Sequence, residues 1–218
     1  MTELRTEEEQ LEAIKSWWKS NGTSLVVMIA IAVSAVYGYR AWQNHQIETS
    51  EQASALYQQL VEKATPVAGS DSEKDAATSK YITKTLKAEF SDSQYAKYAA
   101  LLMAKMDVQA GNLDAAITEL DWLLENEEHP MLISLANIRK AQILSAQEKN
   151  DAALALLKNV KVAGLQVQAA ELEGDIYLAL NDKTKAREAY NRALDNDSAG
   201  SAQAVIRLKL NDLTEEES

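Results

Sequence analysis

The stretch GDIYLALNDKTKAREAYNRA, from Gly174 to Ala193, decides the fold of this chain. Apolar residues recur at helical spacing on both sides of the polar pair Asn181-Asp182, so the stretch predicts a helix, a tight turn and a second helix. Small residues stand at Gly174 in the first helix and at Ala186 in the second. Because small side chains let neighbouring helices approach closely, the two helices are expected to pack against each other.

The same pattern occurs twice more towards the N-terminus, in degenerate form. Corresponding positions hold Ala104, Asp107, Ala116 and Leu120 around Gly111-Asn112; Ala141, Leu144, Ala153 and Leu157 around Glu148-Lys149-Asn150; and Gly174, Tyr177, Ala186 and Tyr190 in the last unit. Equivalent alanines are 37 and 33 residues apart, which brackets the period of about 34 residues of tetratricopeptide repeats (TPRs). Asp107 replaces an aromatic residue, and no repeat has the final consensus proline, although Pro130 follows the first repeat closely. We therefore predict an all-α protein with a TPR-like α-solenoid over residues 94–212, and a less regular helical bundle is the alternative.

The segments on either side of the repeats also have helical patterns. Residues 43–93 are predicted to form a membrane-proximal helical region, with two apolar faces: Ala53, Leu56, Tyr57, Leu60, Val61 and Ala64; and Tyr81, Ile82, Thr85 and Leu86. A loop from Pro66 separates these helices, with Ser72 as an N-cap, and residues 91–93 end the second one. A final helix over residues 199–212 is expected to cap the repeats, and residues 213–218 form an acidic tail.

A membrane anchor is predicted near the N-terminus. The twenty residues between Lys19 and Arg40 carry no charge, and a helix of that length spans about 30 Å, the thickness of a bilayer's hydrocarbon core. Aromatic residues stand at both rims, as in interfacial belts: Trp17, Trp18, Tyr37, Tyr39 and Trp42. We predict a cytoplasmic segment over residues 1–22 and a transmembrane helix from Thr23 to Trp42.

The basic residues around this span predict its orientation. Arg5, Lys15 and Lys19 precede it and Arg40 follows it, so the N-terminus is expected in the cytoplasm and the repeats outside it. A cleaved signal peptide is the alternative. Its basic region would be unusually long and acidic, and the small-residue pattern Ala30-Ile31-Ala32 lies inside the apolar run instead of after it.

Composition argues against several classes of function. The chain has 22 lysine and arginine residues against 33 aspartate and glutamate residues, a formal net charge of −11, and such a surface repels nucleic acid. It has no cysteine and only two distant histidines, His45 and His129. We found no phosphate-binding loop, nucleophile triad or dinucleotide fingerprint. The sequence therefore predicts a binding protein without catalytic residues, cofactor or metal.

The chain resembles the YfgM family across nearly its full length, and three segments carry the resemblance. They are EEEQLEAIKSWWKSNG (Glu7–Gly22), YRAWQNHQ (Tyr39–Gln46) and GDIYLALNDKTKAREAY (Gly174–Tyr190). The resemblance implies a bacterial inner-membrane protein with a periplasmic TPR-like domain, acting as an ancillary subunit of the SecYEG translocon. It also implies a PpiD-like membrane-anchored chaperone and nascent secreted polypeptides as partners. A generic envelope scaffold that assembles another membrane complex is the alternative.

Repeat proteins of this kind usually bind partners on the surface lined by the first helix of each pair. Counting along the proposed repeats, that surface would present Tyr98, Leu101, Lys105, Ile138, Gln142, Glu171 and Asp175. The mixture of apolar and charged groups suits an extended peptide or a partner's loop. Leu101 and Ile138 could instead be core residues.

Overall fold

The structure is a computed structural model that describes residues 7–65, 72–197, 200 and 202–215. Contacts divide the chain into two compact units, residues 1–52 and residues 53–218. Within the described ranges the regular secondary structure is entirely helical: α1 (Glu7–Ala64), α2 (Ser72–Glu89), α3 (Gln94–Gln109), α4 (Leu113–Asn126), α5 (Pro130–Ala146), α6 (Asn150–Leu157), α7 (Ala163–Ala179), α8 (Lys183–Asn196) and α9 (Gln203–Glu215). The prediction of an all-α fold is confirmed.

The first unit contains the greater part of α1, which is 58 residues long. In the part of the chain that the structure describes, α1 is the one helix long and apolar enough to cross a membrane. Its apolar side chains are open to the surroundings, including Val26, Ile29 and Ile31, which are 55%, 54% and 64% exposed. Such a continuous exposed apolar surface is unfavourable in water and favourable in lipid. The helix therefore indicates membrane association.

The last turns of α1 belong to the second unit and pack with α2 and α3. Ala53 and Leu60 are fully buried against Leu86 of α2 and Ala99 of α3. Tyr81 was predicted on the buried face of α2, but its side chain is 70% exposed. Val61, predicted on the buried face of α1, is 40% exposed. The buried face of α2 is instead formed by Ser79, Ile82, Thr83 and Leu86. The loop predicted from Pro66 falls outside the described residues up to position 71, and nothing is described of the Ser72 side chain.

Helices α3 to α8 form three consecutive pairs, and each pair is joined by the same turn. Gly111, Glu148 and Asn181 have positive φ angles of 79°, 61° and 59°. The amide after each of them donates a hydrogen bond to the carbonyl five residues earlier, over 2.8, 2.9 and 2.9 Å. This is the Schellman pattern, which satisfies carbonyls at the end of the first helix and reverses the chain. Its recurrence after 37 and 33 residues confirms the predicted repeats.

Buried alanines hold the two helices of each pair together. Ala116, Ala153 and Ala186, the equivalent residues of α4, α6 and α8, are all fully buried. Each belongs to a core cluster that includes a buried alanine of the preceding helix, and the core continues along the array in adjoining clusters. The small side chains permit the close helix approach that the sequence predicted.

Glu148 is a long L-residue in the left-handed backbone conformation, which costs about 1–2 kcal/mol. Replacing Glu148 with glycine is expected to raise the free energy of unfolding by about 0.5–1 kcal/mol, after the greater freedom of glycine in the unfolded chain is subtracted. Chemical denaturation of the full chain in detergent micelles measures the change. Gly111→Ala, at the equivalent position of the first pair, is the matched control and should lower stability. A less stable Glu148→Gly protein would contradict the interpretation.

The final helix differs from its prediction at both ends. It was expected over residues 199–212, whereas α9 runs from Gln203 to Glu215. Leu213, assigned to an acidic tail, is 1% exposed and packs with Tyr190 and Ile206. Leu213 lies about two helical turns beyond Ile206 and continues the same buried stripe, which explains why the helix extends further. Residues 216–218 of the predicted tail lie outside the described ranges.

Candidate partner-binding groove

A groove of about 570 Å³ opens between α3 and α5, the first helices of the first two pairs. Residues from both helices line it: Leu101, Lys105 and Val108 from α3, and Leu135, Arg139 and Gln142 from α5. Helix α4 contributes Leu113 and Leu120. Its volume lies within the range of about 300–1,000 Å³ that is typical of ligand-binding clefts.

The groove owes its form to the small residues beneath it. Ala104 of α3 and Ala116 of α4 are 4% and 0% exposed and let these helices approach closely. Leu120 and Ile143, also buried in this cluster, line the groove from below. The lining is therefore held by a packed core, and the side chains above it are carried on regular helices.

Three of the predicted binding residues meet in this groove, namely Leu101, Lys105 and Gln142. Tyr98 lies one turn before Leu101 on α3 and is 40% exposed. Its ring is 6.2 Å from that of Tyr57 in α1, centroid to centroid, and Tyr57 also contacts Tyr95. Burial, followed by the proximity of Tyr98, raises the pKa of Tyr57, so the Tyr57 phenol stays neutral at physiological pH.

Ile138 does not belong to the groove, which corrects the prediction. Its side chain is 1% exposed and packs in a core cluster with Ala141 and Leu157. The face of α5 that lines the groove consists instead of Leu135, Arg139, Gln142 and Ala146. The sequence analysis missed Arg139, although its spacing from Leu135 and Gln142 places all three on one helical face.

Glu171 and Asp175 of α7, which the prediction placed on the binding surface, lie outside this groove and are ion-paired with α9. The Lys209 ammonium of α9 lies 2.7 Å from a carboxylate oxygen of each. The buried Tyr190 hydroxyl donates a hydrogen bond of 2.7 Å to Asp175. Helix α9 thus packs against this part of the third pair, and its lysine offsets one of the two negative charges.

Charge at the groove is positive, in contrast to the acidic chain as a whole. Lys105 and Arg139 are the charged residues among those lining it in the described part of the chain. The guanidinium of Arg139 donates to the neutral amide oxygen of Gln142 over 3.0 Å. The groove can therefore accept apolar side chains and offer hydrogen-bond donors to a carboxylate. No group of three or more potential metal ligands lies together among the described residues.

Paired helices with a repeated turn, buried alanines and a groove between first helices define the class of protein: a TPR-like helical-repeat protein. A family model described as a tetratricopeptide repeat-like domain matches residues 15–215. Relatives named ancillary SecYEG translocon subunit are 30% identical in Haemophilus influenzae, 32% in Aggregatibacter actinomycetemcomitans and 31% in Neisseria gonorrhoeae. Each alignment covers 95% of this chain and 97% of the relative. The chain belongs to this family, the YfgM family, which confirms the resemblance.

Two solved structures share the fold at low sequence identity. A crystal structure of MamA matches with a TM-score of 0.51 and 16% identity, over 67% of this chain and 81% of that chain. The MamA RS-1 ArsTM double mutant matches with a TM-score of 0.50 and 18% identity, over 78% of this chain and 97% of that chain. This likeness supports the helical-repeat architecture alone.

Proposed function

We propose that this chain is a non-enzymatic ancillary subunit of the bacterial Sec translocon that binds protein partners through its TPR-like domain. The observation that carries the proposal is the match to relatives of that name over 95% of the chain. The match therefore includes most of α1 as well as the helical pairs. A shared repeat domain alone would indicate only a binding protein.

The proposed location is the inner membrane, with a single span from Thr23 to Trp42. The exposed apolar surface of α1 supports a bilayer around this segment. Basic residues are more numerous before the span than after it, which favours a cytoplasmic N-terminus and a periplasmic repeat domain. The second unit is acidic, so an anionic lipid surface repels it. This charge suits a domain that is held away from the bilayer.

The proposed partners are SecYEG, a PpiD-like periplasmic chaperone and nascent secreted polypeptides. Binding of this kind would connect translocation to folding. The groove between α3 and α5 supports it physically, because it offers an apolar surface with polar groups at its edge. Helices in regular pairs hold such a surface in place without a ligand, which reduces the entropy cost of binding.

Photocrosslinking in intact cells tests the proposed function. Photoreactive amino acids at positions 98, 101 and 142 are expected to give adducts with translocon subunits, a membrane-anchored chaperone or secreted chains. A probe at position 138 is the matched control, since the buried Ile138 side chain should give no intermolecular adduct. Adducts solely with another envelope complex would overturn the translocon assignment in favour of a generic scaffold. Adducts solely with cytoplasmic proteins would overturn the orientation.

A further inference from the structure

We propose that the groove between α3 and α5 recognises an apolar polypeptide segment that carries a side-chain carboxylate, which Lys105 and Arg139 bind. The inference rests on the proposed function, since it specifies the kind of segment that the TPR-like domain selects. Three features of the described residues carry it: the apolar lining, the two cations that line the groove, and the lack of a carboxylate partner for either cation within the described part of the chain.

The apolar character of the groove favours aliphatic or aromatic side chains of a partner. Leu101 and Val108 of α3 and Leu135 of α5 line the groove, and Val108 is 40% exposed. Removing this surface from water contributes about 25 cal/mol of favourable binding free energy per Å² of apolar area. A polar or nucleic-acid ligand would not use these contacts.

Several other cations in the second unit have carboxylate partners. Lys87 lies 2.8 Å from Glu119, Lys140 pairs with Asp121, and Lys209 holds Glu171 and Asp175. Within the described part of the chain, Lys105 has no hydrogen bond or ion pair, and the bond of Arg139 goes to the neutral Gln142. Both cations therefore keep their capacity to bind an anion.

The two cations lie on opposite helices and line the same groove. A carboxylate bound there would form charge-assisted hydrogen bonds, and a guanidinium can hold both of its oxygens. The chain as a whole is strongly acidic, with a net charge of −11, so densely charged anions such as nucleic acid are repelled. The arrangement thus selects isolated carboxylates within apolar sequence.

Peptide binding by the full chain in nanodiscs of zwitterionic phosphatidylcholine tests the proposal. Two fluorescent peptides are compared by anisotropy; both alternate leucine and serine, and they differ only in glutamate or glutamine at the same two positions. The glutamate peptide is expected to bind about tenfold more tightly, the equivalent of about 1.4 kcal/mol, and the difference should shrink with added salt. Equal binding of the two peptides would overturn the proposal.

Charge reversal at Lys105 and Arg139 tests whether these two residues cause the preference for the glutamate peptide. The double variant Lys105→Glu/Arg139→Glu is expected to lose the preference for the glutamate peptide. Its control is Lys158→Glu/Lys161→Glu, which changes the net charge equally at two exposed residues outside the groove and should keep the preference. A preference that survives reversal at 105 and 139, with the helical circular dichroism unchanged, would overturn the assignment. Continued crosslinking to translocon subunits in that case would leave the proposed function standing.

Discussion

Replacing Gly174 with alanine is expected to lower the free energy of unfolding by about 1–2 kcal/mol, because the overpacking of a tight helix contact costs up to about 3 kcal/mol and alanine's helix propensity offsets part of it. An added Cβ at Gly174 would lie 2.4 Å from the Tyr190 ring, well inside contact distance. Tyr190 is fully buried and is held by its hydrogen bond to Asp175, so the ring has no free space to move into. The clash therefore outweighs the gain of about 1 kcal/mol that alanine brings to a helix interior.

Gly164 provides the control for this substitution within the same helix. A Cβ at Gly164 meets nothing within 4 Å, so Gly164→Ala should be neutral or slightly stabilising. Thermal unfolding of the full chain in detergent micelles, followed by circular dichroism, compares the two. Tyr190→Leu should partly rescue Gly174→Ala by removing the ring. A Gly174→Ala protein as stable as the unaltered chain would show that the close approach is not required.

Reversing the charge of Lys209 is expected to cost about 2 kcal/mol and to loosen α9. Lys209→Glu would bring a third carboxylate beside Glu171 and Asp175, which the lysine now holds at 2.7 Å. Breaking a fully buried ion pair costs about 3–5 kcal/mol, and the partial exposure of these groups reduces the effect. Hydrogen exchange should show faster opening of α9 amides than in the unaltered chain.

Arg207→Glu is the control for this second prediction, because Arg207 is exposed on the same helix. It should leave the exchange of α9 nearly unchanged; equal effects of the two reversals would refute a specific role for Lys209. Burial lowers the pKa of Lys209, but hydrogen bonds to Asp175 and Glu171 outweigh it and raise the pKa above its ordinary value. The ion pair therefore contributes fully below the pKa of lysine in the unfolded chain, about 10.4. Its contribution is lost only as the pH rises through the higher folded pKa.

The repeats could be predicted from the sequence because their determinants are local. The turns at Gly111, Glu148 and Asn181 and the alanines that follow them lie within single helical hairpins. Each hairpin's hydrogen bonds and contacts join residues close together in the chain. The order of the pairs then follows from short connections.

The binding surface could be predicted only in part. Its residues depend on the rotation of α5 about its own axis and on the contact that α9 makes with α7. One position along a helix turns a side chain by about 100°, so Ile138 is core whereas Arg139 lines the groove. Glu171 and Asp175 read as exposed polar residues, and their partner Lys209 is more than thirty residues away. Such a distant contact has no signal in the local pattern.

Glu148 is a position at which a single substitution can raise the thermal stability of this fold. The residue occupies a backbone conformation that glycine and asparagine fill in the two sister turns. It lies outside both the groove and the α9 contact with α7. A single codon change at this turn can therefore strengthen the scaffold while the binding surface evolves independently, and it would offset a destabilising substitution acquired in the groove.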